Sequence, residues 1–200
     1  MIGERMTSIA RLRRRAEAGS AIAQYELGTR YARGKGVVQN FDLASEWCRR
    51  AALQQDARLI ALLRRRAEAG DADAQNSLGA LHAEGMGVEK SHRRAADLWH
   101  GAARASNPRA IANLAWLYAV GLGVERNSTV AFRLHQRASR LGVALASRRL
   151  AGAYICGLGT RQCLESARHC LFTAFTQGRS DALHDLALLN AVDAEGSRRR

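Results

Sequence analysis

Ala74-Gln75-Asn76-Ser77-Leu78-Gly79, continued by Gly85-Met86-Gly87-Val88, Ala95, Trp99 and Ala102-Ala103, is a pattern that this chain repeats. Gly34/Gly36, Gly85/Gly87, Gly121/Gly123 and Gly157/Gly159 fall in register at successive steps of 51, 36 and 36 residues. Repetition at such a period specifies stacked units, each burying its apolar face against the next. Before each glycine pair runs a helical stripe. Its small slot is Ala23, Ala74, Ala110, Ala146 and Ala182, and its large slot is Leu27, Leu78, Leu114, Leu150 and Leu186. The residue after the leucine is again small (Gly28, Gly79, Ala115, Ala151, Ala187), and an aromatic slot follows at Tyr31, His82, Tyr118 and Tyr154. After each glycine pair a second stripe starts from Ala44, Ala95, Ala131 and Ala167. The spacing assigns Trp47, Leu98, Leu134 and Cys170, three residues on, to the core. Small residues let helices approach closely and aromatics fill what remains. The fold class is all-α, built from antiparallel helix pairs.

The octet Leu12-Arg13-Arg14-Arg15-Ala16-Glu17-Ala18-Gly19 recurs unchanged from Leu63 to Gly70, so the 51-residue step reads as a duplicated block. The expected organisation is one repeat domain over residues 1–200. It comprises an N-terminal cap helix at 8–19, repeats at 20–55, 71–106, 107–142 and 143–178, and a C-terminal cap helix at 179–194. A basic tail follows at 195–200, and between the first two repeats lies an inserted helix at 56–70. That insert is expected to be long and to alter the local superhelical turn.

Of 200 residues 47% are hydrophobic, yet no apolar run reaches the roughly 18 residues of a membrane span. The first ten residues lead into Arg11–Arg15 instead of an apolar segment with a cleavage site, which reads as a cytoplasmic chain without a secretory signal. The four cysteines are too few and too uneven for a disulfide framework. Cys163 and Cys170 on one helix would lie about 10 Å apart, too far to share a zinc. Cys156 and Cys163 flank a loop and could bridge under oxidant, although small core filler is the simpler reading. Neither a phosphate loop nor a zinc motif nor a catalytic elbow is legible, so the sequence calls for no enzyme, cofactor or metal.

The succession Ala23-Gln24-Tyr25-Glu26-Leu27-Gly28 to Gly36-Val37, and its counterpart from Ala74 to Val88, resembles the Sel-one-like repeat (SLR) family, relatives of tetratricopeptide repeats. The resemblance covers about Ile9 to Leu189 and is weakest in the fourth unit, where Thr160 stands for the valine. It implies a right-handed α/α superhelix used as an adaptor, with the first helices lining a concave groove for a peptide or partner protein. Some cysteine-rich members are stapled by repeated disulfides and bind cell-wall-like compounds; a single Cys-rich unit does not carry that over.

Positions two before and two after the slot leucine fall opposite the assigned core: Tyr25 and Thr29, Asn76 and Ala80, Ala112 and Trp116, Arg148 and Gly152. Tyr25, Thr29, Asn76, Trp116 and Arg148 are the expected groove contacts, because aromatics without a packing slot are frequent anchors. The alternative is that the inserted helix or a neighbouring repeat covers them. The net charge is +13, and 29 of the 31 basic residues are Arg. Arg13, Arg14, Arg15, Arg64, Arg65 and Arg66 read in two ways. They either answer the dipole at helix C-termini or form a stripe for nucleic acid or another anionic surface, with strongly salt-dependent affinity.

Overall fold

The computed structural model describes the backbone of residues 2–198 and the side chains of residues 8–190. Among these are eleven helices and no strand, divided into two compact units, Met1–Ala105 and Ser106–Arg200. The first unit holds α1 (Ile2–Glu17), α2 (Ala21–Arg33), α3 (Phe41–Leu53), α4 (Ala57–Glu68), α5 (Ala72–Glu84) and α6 (His92–Arg104). The second holds α7 (Pro108–Val120), α8 (Ser128–Arg140), α9 (Ala144–Cys156), α10 (Leu164–Thr176) and α11 (Asp181–Arg198). α2/α3 and α5/α6 pack as antiparallel pairs in the first unit, α7/α8 and α9/α10 in the second. α11 continues through Arg198, beyond the expected start of the basic tail; Arg199 and Arg200 lie outside the described residues.

Helix ends follow from side-chain chemistry. Ser20, Asp71 and Asn107 cap first helices, and Asn40, Ser91 and Asn127 cap second helices. Each offers a side-chain oxygen to an amide two or three residues ahead. The first helices stop at Gly34, Gly85, Gly121 and Gly157, all left-handed, a conformation that only glycine adopts without strain. Every loop is then shut by one backbone bond from the N-cap amide to the carbonyl of the aromatic slot. These are Asn40 to Tyr31, Ser91 to His82, Asn127 to Tyr118 and Cys163 to Tyr154, at 2.7–3.0 Å.

The second glycine of each pair has positive φ, and Gly36, Gly87 and Gly159 also face a preceding helix. A Cβ on Gly36 would lie 3.3 Å from Ile9 of α1, and one on Gly87 would lie 2.6 Å from Ile60 of α4. Ile9 and Ile60 stand 51 residues apart, as do the buried pairs Leu12/Leu63 and Ala16/Ala67. α1–α2–α3 and α4–α5–α6 are therefore two copies of one three-helix block. α4 has 12 residues against 13 in its neighbours, so it is not the long helix expected. Its Leu59, Ile60, Leu63 and Ala67 share a core cluster with Tyr25 and Ala51 before it and Ala74, Leu78 and Leu81 after it.

In α6, α8 and α10 the buried side chain lies four residues beyond the small alanine, not three, whereas in α3 both Trp47 and Cys48 are half-buried. Trp99, His135 and Leu171 are 3%, 5% and 2% exposed, whereas Trp47, Leu98, Leu134 and Cys170 are half-buried. At about 100° per residue, a step of four returns to within about 40° of the alanine, and a step of three leaves about 60°. This slot presses on the small residue of the first helix. A Cβ on Gly28 would stand 2.7 Å from Cys48 Sγ, and one on Gly79 would stand 2.6 Å from Trp99 Nε1. In α11 the core slots hold for Ala182 (buried) and Leu186 (half-buried), while Ala187 is exposed because none of the described helices packs over that position.

The turns after second helices use Gly19, Gly70, Gly142 and Gly178 at positive φ, but Gln55 (φ 50°) and Ser106 (φ 59°) take that conformation with a Cβ. Gln55→Gly is expected to stabilise the chain by up to about 1 kcal/mol, the difference between left-handed strain and the entropy of glycine. A higher urea midpoint at unchanged slope is the readout.

Candidate interaction surface

Tyr25 is 1% exposed and belongs to the cluster that α4 completes. It lies in the core, not on an open face, because the inserted helix occupies the space opposite the α2 packing stripe. Its hydroxyl has no hydrogen-bond partner among the described residues. Burial, then the Asp71 charge, pushes the phenol well above its ordinary value. Asn76 is equally buried, and its backbone carbonyl accepts the Trp99 Nε1–H at 3.0 Å. Thr29 is half-buried, with its hydroxyl donating to the Glu26 carbonyl at 2.8 Å. Trp116 on α7 is likewise half-buried and fills none of the packing slots.

Arg148 turns along the surface of its own unit. It donates to Asp185 through Nε and to Asp181 through a terminal nitrogen at 3.1 Å, tying α9 to α11. Asp181 also accepts two bonds from Arg179, and these, ahead of the surrounding charges, hold its carboxyl down at about 2. The charge of Arg148 is thus already answered. The first unit contains a similar tie, Arg33 of α2 to Asp71 and Asp73 of α5.

The open stripe of α9 consists of Leu145, Arg149, Gly152 and Cys156, all exposed, at spacings of four, three and four residues. The same register on α7 is Arg109, Asn113, Trp116 and Val120. The open face therefore runs through the residue immediately before the slot leucine, and the choice of the residue two before it selected Arg148 in place of Arg149. The i, i+4, i+7, i+11 count was available in the sequence. The positions two before and two after the leucine differ in helical angle, and only the second falls on the open stripe.

Arg13, Arg14, Arg15, Arg64 and Arg65 are exposed and Arg66 is half-buried. Arg13 donates to the Tyr31 hydroxyl at 2.9 Å, and among the described residues none of the six is ion-paired with a carboxylate. Arg14 and Arg15 lie in the last turn of α1, and Arg65 and Arg66 in that of α4, where cations meet the helix dipole.

All four cysteines are free thiols. Cys163 occupies the N-cap position of α10 and accepts the Ser166 hydroxyl at 3.2 Å, which with nearby amides lowers its thiol from the ordinary value. Cys170 is raised by burial. His135 fills its core slot with Nδ1 unpartnered among the described residues, and burial, then Arg149, pushes it down to about 4. Among the described residues no group of three or more His, Cys, Asp or Glu could hold a metal ion, and no helix is long and apolar enough to cross a membrane.

The Sel1 repeat family model matches residues 21–56, 72–107 and 108–143. The fourth pair, α9/α10, falls outside that match. The chain is similar to the solved structure of a protective antigen present in uropathogenic Escherichia coli strains that displays an SLR fold, with 30% identity and a TM-score of 0.62. The similarity covers 89% of this chain and 43% of that one. It is also similar to a Sel1 repeat protein from Oxalobacter formigenes, at 32% identity and a TM-score of 0.57, over 62% of this chain and 94% of that one. No curated protein matches the chain.

Proposed function

Because the chain belongs to the Sel1 repeat family, whose members are in general non-catalytic protein-interaction scaffolds, we propose that it is an adaptor that binds a peptide or partner protein on the open face of its first helices. The supporting observation is Trp116. A half-buried tryptophan outside every packing slot keeps part of its ring open to a partner and is a favoured interface anchor. Thr29 on α2 offers a smaller contact on the corresponding stripe of the first unit. The buried Tyr25 and Asn76 and the ion-paired Arg148 support the fold around these faces. A cytoplasmic setting with free thiols accords with this reading.

Trp116→Ala is expected to weaken peptide or partner capture at least tenfold, as about 2 kcal/mol for an interface anchor implies. The melting temperature should stay within a few degrees. Unchanged affinity would remove Trp116 from the surface of contact, and a collapsed melting temperature would place it in the core.

A second reading rests on the six arginines without carboxylate partners in α1 and α4, placed at equivalent positions of the two three-helix blocks. They suit a polyanion, such as nucleic acid or an anionic surface. Affinity for a 20-nucleotide single strand should then fall steeply between 50 and 200 mM salt, roughly in proportion to the phosphates neutralised.

A further inference from the structure

Gly152 lies in the middle of α9, where glycine costs about 1 kcal/mol relative to alanine. Among residues 8–190 the other helix-interior glycines have a packing reason: Gly28 and Gly79 admit Cys48 and Trp99, and Gly101 lies against Gln75. Gly152 has none, since a Cβ there would meet nothing within 4 Å and the residue is exposed. The equivalent positions on the neighbouring first helices of the same unit carry large apolar side chains, Trp116 on α7 and Leu188, 54% exposed, on α11. The missing side chain therefore leaves a notch on the α9 backbone at the register position that Trp116 and Leu188 fill on the first helices before and after it.

One turn earlier on the same stripe stands Arg149. Its guanidinium is partly desolvated and is repelled by its neighbours Arg148 and Arg179, and among the described residues no carboxylate pairs with it. Asp181 and Asp185, the acidic groups of that face on α11, are already engaged by Arg148 and Arg179. The uncompensated charge beside the notch is positive.

The geometry points to a peptide-binding subsite in the second unit that takes an acidic–apolar segment of a partner protein. A large apolar side chain seats on the Gly152 backbone between Trp116 and Leu188, and a carboxylate one helical turn away reaches Arg149. This rests on the adaptor reading and names the chemistry of its partner. The glycine leaves room for close approach, the flanking side chains supply apolar contact area, and the guanidinium fixes register by a charge-assisted bond.

The test is selection of a displayed dodecapeptide library on the full chain, with anisotropy of the labelled winners at 50 and 300 mM salt and a 20-nucleotide single strand as competitor. The winners should pair a bulky apolar residue with Asp or Glu three or four positions away. Gly152→Leu should weaken them at least tenfold, and Arg149→Glu should weaken them about tenfold and flatten their salt dependence. Gly152→Ala should raise the melting temperature, as relief of a helix-interior glycine requires, and Gly152→Leu should not lower it, so lost binding is not lost fold.

Winners that bind Gly152→Leu and Arg149→Glu as tightly as the parent chain overturn the subsite and leave the adaptor reading standing. A library that yields no winner overturns both. Binding of the single strand through Arg149, with no peptide competing, overturns the peptide in favour of a polyanion.

Discussion

Trp99→Ala is expected to lower the unfolding free energy by about 3–5 kcal/mol, the range for truncating a buried aromatic. The loss has two parts. The ring is 3% exposed and sits against Gly79, so its removal opens a cavity between α5 and α6. Its Nε1–H also satisfies the buried Asn76 carbonyl, which is left without that donor. Trp99→Phe keeps most of the volume and should cost less, chiefly the lost indole hydrogen bond. The converse change, Gly79→Ala, drives a methyl into the indole and should cost about 1–3 kcal/mol. The same change in a Trp99→Leu background should cost much less. Urea denaturation of the four chains checks this as a double-mutant cycle, and additive costs would show that the glycine and the indole are not coupled.

Acidification is expected to weaken the second unit before any carboxylate matters. His135 titrates near 6.5 when unfolded and near 4 in the fold, so the unfolded chain binds the extra proton first. Its contribution is complete above about pH 6.5 and is lost as the pH falls toward 4, by up to about 3 kcal/mol at 1.36 kcal/mol per unit. Asp181, held at about 2, loses its contribution only below the ordinary carboxylate value near 3.8, so the two windows separate. His135→Leu, which borrows the residue found at this slot in α10, should flatten the curve between pH 6.5 and 4. It should leave the more acidic limb in place. An equal slope in both proteins across that window would assign the acid sensitivity to another group.

The repeat slots and the glycine turns were legible because they recur; five copies of Ala–x3–Leu fix helix, face and register together. The second-helix core slot was misplaced by one residue for the opposite reason. Trp47 and Leu134 are more apolar-looking than their neighbours Cys48 and His135, and the same register then takes Leu98 and Cys170 in place of Trp99 and Leu171. Tyr25 shows a different limit. Its exposure is decided by α4, whose sequence opens like a first helix, with Asp56 as N-cap, and closes like a second, with the octet of α1. Which face such a hybrid covers is a tertiary matter. The helical count separates Arg149 from Arg148 on the open stripe, but that Arg148 is ion-paired follows only from where α11 brings Asp181 and Asp185.

The matched docking of Ile9 on Gly36 and of Ile60 on Gly87 has a genetic consequence. A crossover between the octets Leu12–Gly19 and Leu63–Gly70 removes or adds 51 residues without changing a residue at the junction. The shortened chain would present Ile9 to Gly87 as the parent presents it to Gly36, with Leu12 and Ala16 beneath α5. Array length is thus a variable that unequal exchange can alter in one step, while the proposed partner face on α7, α9 and α11 is inherited unchanged.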